Sequence, residues 1–203
     1  MTSTPLLLAL CGPGDDGGWP WSSRSEAGRA VVGAALFELA REGRLELSDD
    51  RVVPCGGGPT GGGVQDQLLG RVSRAGRARA PWVWMELLGP DALRHVEEEC
   101  AHAAAPGALR RRVGEARARV ARAAERPDVS DASALAVAVL LAAGRCGHLV
   151  RPSVPPDTMT RQADEAMAAL ERSAPHSGHA LRRASAAVRR SIAVSAAVLA
   201  FPG

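Results

Sequence analysis

The sequence predicts a mainly α fold: a single-domain helical bundle spanning residues 1–203 around a central apolar helix at about 131–144, with a small β-hairpin at about 44–53. Three observations carry that prediction. The run ALAVAVLLAAG, Ala134 to Gly144, is almost without polar side chains, as befits a helix covered on every side. In most other stretches apolar residues return every three or four positions, the helical period. Only after Gly43 does the period fall to two, where Leu45 and Leu47 alternate with Arg44 and Glu46.

Taken in order, Leu6 to Leu10 is apolar throughout and predicts a short buried element, a first strand or turn. The start MTSTPLLLALCG has the outline of an export leader ending at Cys11. It lacks a basic beginning, its apolar run is short, and Leu10 is large where cleavage needs a small residue. Gly12 to Gly18 predicts a turn, and Trp19 and Trp21 follow it. Ser23 and Glu26 have capping-box spacing, each side chain able to satisfy the other's backbone N–H. The helix they open carries Ala27, Val31, Val32, Ala35, Leu36 and Leu39 on one stripe, widened by Phe37 and Ala40. Gly43 stops it, since a left-handed residue costs glycine nothing. A hairpin turning at Asp49-Asp50 follows, then a glycine-rich loop from Cys55 to Gly63.

The next helix shows Val64, Leu68, Leu69 and Val72, and SRAGRARAP after it is expected to be a solvated linker. Trp82, Trp84, Leu87 and Leu88 form an apolar patch. Pro90 is expected to open a helix with Leu93, Val96, Cys100 and Ala103 inward and Glu97, Glu98 and Glu99 mostly outward. Leu109, Val113, Ala116, Val120 and Ala123 mark the inner face of another helix, whose outer face holds Arg110, Arg111, Arg112, Arg117, Arg119, Arg122 and Arg126. Ser130 or Asp131 caps the central helix. Prolines 152, 155 and 156 then separate it from two amphipathic helices, one with Met159, Ala163, Ala166, Met167 and Leu170, the other with Leu181, Val188, Ile192, Ser195 and Leu199.

A domain of 203 residues buries roughly 70% of its unfolded surface and needs no disulfide or metal to fold. All 25 basic residues are arginine, and lysine, asparagine and tyrosine are absent, a pattern produced by GC-rich codons of a bacterial gene. Net charge is +3, enough for weak attraction to phosphate-rich surfaces. Four scattered cysteines without a C-x-x-C pair point to reduced thiols and a cytoplasmic protein. No segment has the roughly 20 apolar residues of a bilayer span.

Chemistry-bearing motifs are missing. A P-loop needs lysine, and the chain has none. His176-x-x-His179 and Cys100-x-His102 lack the second pair that a zinc site needs. No G-x-S-x-G elbow is present. No enzyme, metal or cofactor is therefore expected. A helix feeding a hairpin also suggests a winged helix, but the helix is too apolar to lie in a DNA groove, so nucleic acid is a poor third choice. Arginine forks and interfacial indoles suit an anionic phospholipid surface instead. A protein–protein adaptor that grips an acidic partner through the arginine-rich helix is the alternative.

The stretches LLLAL with its glycine-aspartate turn, GAALFELAREGRLELSDDRVV, PTGGGVQDQLLGRV, WMELLGPDALRHV and SALAVAVLLAAG, in that order, resemble the Golgi phosphoprotein 3 family in its bacterial form. The resemblance implies a single, mostly helical domain with small hairpins and no enzymatic activity. It implies a peripheral membrane protein that binds phosphatidylinositol 4-phosphate and, in eukaryotes, sorts Golgi glycosyltransferases as an adaptor. It further implies lipid contacts from a tryptophan ahead of the first long helix, here Trp21 or Trp19, and from an arginine within that helix. The arginine's register falls on Val32, with Arg29 the nearest substitute. The family's R-x-x-R pair falls on Arg94 and Glu97, and a carboxylate there repels phosphate. The apolar membrane hairpin of the family has no counterpart between Gly107 and Val129. What remains for a membrane is the basic face of Arg110, Arg111, Arg112, Arg117 and Arg119.

Overall fold

Helix α2 (Arg24–Arg41) has no solvent face over most of its length: every residue from Ala27 to Ala40 is buried. That is how its wide apolar stripe is accommodated. In the computed structural model, which describes residues 2–12, 24–102 and 108–200 (side chains to 197), helices pack around α2 on several sides. The elements run α1 (Thr4–Cys11), α2, β1 (Leu45–Leu47), β2 (Val52–Pro54), α3 (Gly63–Arg74), α4 (Pro81–His102), α5 (Ala108–Glu125), α6 (Ala132–Ala143), α7 (Pro156–Ser173) and α8 (Pro175–Ala200). Short 3-10 turns at Val129–Asp131 and Gly147–Leu149 flank α6. One hydrophobic core runs through all the α-helices and both strands.

The first element is a helix, not the strand or turn expected from its apolar run. Ser3 caps it by accepting the Leu6 N–H, and Pro5 sits in its first turn. An apolar run this short carries no period that separates strand from helix, whereas Ser-Thr-Pro is a helix-start signature. Distant residues hold its ends. The Thr4 N–H donates to both oxygens of buried Glu38, at 3.3 and 3.2 Å. Arg117 of α5 donates to the Cys11 carbonyl at 3.0 Å. A carboxylate at the start and a cation at the end both oppose the helix dipole.

Helix α2 stops as the sequence predicts. Gly43 has φ 69°, its N–H donates to Ala40, and the Arg44 N–H reaches back to Leu39. This double bond pattern is a Schellman ending. The hairpin then pairs Leu45 with Pro54, Glu46 with Val53 and Leu47 with Val52, with Leu45 and Leu47 buried and Glu46 outside. Val52 also donates to the Arg79 carbonyl at 2.8 Å, so the basic linker is tied to the hairpin near its end.

Helix α4 corrects a second expectation. It begins at Pro81 and passes straight through Pro90. An interior proline costs about 3 kcal/mol through its missing N–H and its ring. Met85, Leu88, Leu93 and Val96 lie buried on both sides of it, and each such side chain contributes about 1.5–3 kcal/mol. Packing therefore outweighs the break, and Pro81 supplies the true start, where its fixed φ suits the first turn. α4 makes the most extensive contact with α2. At their crossing a Cβ on Gly28 would lie 2.5 Å from the Gly89 carbonyl oxygen, so the two backbones touch.

The apolar helix α6 is where the sequence places it, capped by Asp131, which accepts the Ala134 N–H at 3.1 Å. It packs on α1, α2, α5, α7 and α8. Its ending departs from that of α2. Cys146 N–H donates to Leu141 and Arg145 N–H to Ala142, again a Schellman pattern, but the left-handed position holds Arg145, at φ 58°. Gly144 stands one residue too early to fill it. A side chain in that conformation costs roughly 1–2 kcal/mol.

Candidate functional site

The crossing of α2 and α4 decides what the candidate head-group residues do. Because Gly28 and Gly89 let the backbones meet, Arg29 on α2 is brought against Glu86 on α4, one turn before Pro90. Arg29 Nε donates to Glu86 Oε1 at 2.9 Å and Nη2 to Oε2 at 3.2 Å. Nη2 also donates to Ser195 Oγ on α8 at 2.6 Å. Ser191 donates to the same Glu86 carboxylate, as does Ser195 at 3.2 Å. The Arg29 side chain is only 9% exposed. Burial by itself would raise the Glu86 pKa, but the donors from Arg29 and Ser191 hold it below the ordinary glutamate range. This ion-pair network joins three helices, and a phosphate approaching Arg29 there would meet the Glu86 carboxylate.

The other candidates are spread apart. Arg94 stands in solvent, 65% exposed, with Asp91 and Glu98 each 3.4 Å away. Glu97, at the second position of the R-x-x-R pair, is taken by Arg24: both guanidinium nitrogens donate to it at 2.7 Å. Arg29 faces inward while Arg94 faces outward, so the structure does not gather them at one surface. Trp19 and Trp21 lie outside the described residues, as do Ser23 of the predicted capping box, residues 13–18 of the predicted turn, and Ala103.

The predicted basic face of α5 divides in two. Arg119 makes a two-pronged pair with Asp131 at 2.6 and 2.7 Å, bracing the start of α6. Arg117 caps α1, as described above, and Arg112 is half-buried. Arg110, Arg111, Arg122 and Arg126 remain exposed. Of these, Arg111 has Glu115 at 3.8 Å. Glu115 and Glu125 share the outer side with them.

Sequence reasoning missed the polar partners. Glu86, Ser191 and Ser195 sit at long separations from Arg29, and Ser195 reads from the sequence as part of the apolar stripe. The available signal was the pair of serines four apart on the inner face of α8. Buried Glu38 was also missed; it accepts from Gln65 at 2.7 Å as well as from Thr4. Burial raises its pKa, and the Gln65 and Thr4 donors only partly oppose that.

Among the described residues no group of three or more histidine, cysteine or acidic side chains is arranged to hold a metal. His176 donates from Nε2 to the Ala40 carbonyl at 2.8 Å, and His102 bonds the Glu98 carbonyl through Nδ1 at 2.6 Å. Cys11 and Cys146 are buried and their thiols pushed up to about 12, with Cys100 at about 11, burial being the main cause. Only Cys55 is exposed. No helix among the described residues is long and apolar enough to cross a membrane. The burial of α2 from Ala27 to Ala40 leaves it no face to enter a DNA groove.

No curated protein matches the chain. The family model for Golgi phosphoprotein 3 (GPP34) matches residues 6–193, nearly the whole length, and the chain belongs to that family.

Proposed function

We propose that this is a non-enzymatic, cytoplasmic peripheral protein that meets membranes through anionic phospholipid head groups. The supporting observation is the outer face of α5, where Arg110, Arg111 and Arg122 are exposed, with Arg126 exposed just past its end. Each basic residue near an anionic surface contributes about 1 kcal/mol. The two glutamates on the same side reduce that, so the attraction is weak, reversible and sensitive to salt. Family membership supports a lipid-binding role, and phosphatidylinositol 4-phosphate is its finer form. The engagement of Arg29 by Glu86 and of Glu97 by Arg24 favours recognition of surface charge over recognition of that one head group.

Sedimentation with vesicles of graded phosphatidylglycerol content tests this reading. Pelleting is expected to rise with anionic lipid, to fall in high salt, and to fall when Arg110, Arg111, Arg122 and Arg126 are all changed to glutamine. Vesicles carrying phosphatidylinositol 4-phosphate at equal total charge are expected to pellet no more protein. Absence of pelleting at low salt would discard the membrane reading and leave the adaptor, in which the same arginines grip an acidic protein.

A further inference from the structure

A cavity of about 540 Å³ opens between the end of α6, the first half of α7 and the last turns of α8. Its walls are mostly apolar, with Val139, Ala142, Met159, Ala163, Ile192 and Ala196 among them. Arg145 and Arg189 also line it. Among the described residues neither guanidinium has a hydrogen bond or ion pair, in contrast to Arg29, Arg24 and Arg119. Arg145 moreover occupies the left-handed position that Gly43 fills at the end of α2. Strained backbone positions of this kind cluster at ligand-binding and active sites.

We infer that this groove binds a free, single-chain anionic amphiphile, its tail along the apolar walls and its head group held by Arg145 and Arg189. The volume lies within the range of small-molecule sites, whose walls are mostly apolar with a few placed polar groups. A guanidinium fork holds a carboxylate with paired donors. Asp164 and His148 are the other titratable groups lining the groove. The inference does not rest on surface attraction by α5, and the two are tested on different residues.

Calorimetric titration with sodium decanoate below its micelle concentration is the test. Saturable binding of one decanoate per chain is expected. Decyltrimethylammonium, decanol and inorganic phosphate are each expected to bind at least tenfold more weakly. Arg189→Gln and Arg145→Gly should each weaken decanoate at least tenfold, and Ala196→Trp should abolish binding by filling the groove. Because Arg145→Gly relieves backbone strain, its melting midpoint without ligand should rise, which separates lost binding from lost folding. The inference is overturned by any of five results: no saturable binding, equal binding of the cationic amphiphile, of decanol or of phosphate, decanoate affinity unchanged by Arg189→Gln or by Arg145→Gly, indifference to Ala196→Trp, or a dimer that Ala196→Trp dissolves.

Discussion

Arg29 and Arg145 both occupy places that are unfavourable for arginine, and they are treated in opposite ways. At the α2–α4–α8 junction a buried guanidinium is met by a carboxylate and a serine hydroxyl. In the lining of the α6–α7–α8 groove, a guanidinium on a strained backbone has no partner among the described residues. The first charge is compensated internally and belongs to the fold. The second is left for something outside. A count of arginines, or even of exposed arginines, misses this distinction, because what matters is which carboxylate is within reach.

The largest effect expected from breaking the contrast is at the junction. Glu86→Ala leaves Arg29 buried without its counter-charge and should destabilise by about 3 kcal/mol, read by urea unfolding. Arg189→Gln, removing a cation with no partner among the described residues, should stay within about 0.5 kcal/mol. Equal losses would erase the difference between the two regions. Next come the two helix endings: Gly43→Ala should lose about 1 kcal/mol, and Arg145→Gly should gain about as much, since each changes the side chain at a left-handed position. A loss in both would show that Arg145 makes a stabilising contact.

The smallest effect sharpens the account of Glu86. Its pKa is lowered in the folded state. Its contribution is therefore complete above the unfolded value, about 4.3, and is lost as pH falls through the lower folded value. The stability difference between wild type and Glu86→Gln should shrink on acidification across that window. Glu38 works in the opposite direction. Its raised folded pKa means that its burial penalty is full above that value, lifts as pH falls below it, and is gone only below the ordinary glutamate value.

The architecture was legible because it is written in local periods. The stripe of α2, the stop at Gly43, the alternation of β1 and the unbroken apolarity of α6 each occupy one window of sequence. The two departures arose where a local signal met a tertiary one. Pro90 reads as a start until Trp84, Met85 and Leu88 are seen buried on the same helix. The Leu6–Leu10 run has no polar residue to show its period. The candidate site was much less legible. Arg29 and Arg119 read as free cations from the sequence, and their carboxylates come from other elements, 57 and 12 residues along. The resemblance located Arg94 and Glu97 but not the Arg24 fork that occupies Glu97. Arg145 reads as an ordinary residue after a glycine stop. Only the backbone shows that the stop is one position later.

Helix α1 has eight residues, and the groups gripping its two ends come from positions 34 and 106 residues away. A segment that short does not persist by itself in water. Its helical state therefore depends on tertiary contacts such as those with Glu38 of α2 and Arg117 of α5, so it reports that chain-distant parts are packed together. Slow hydrogen exchange at Leu7 and Leu8 is accordingly the expected local sign that both grips are in place.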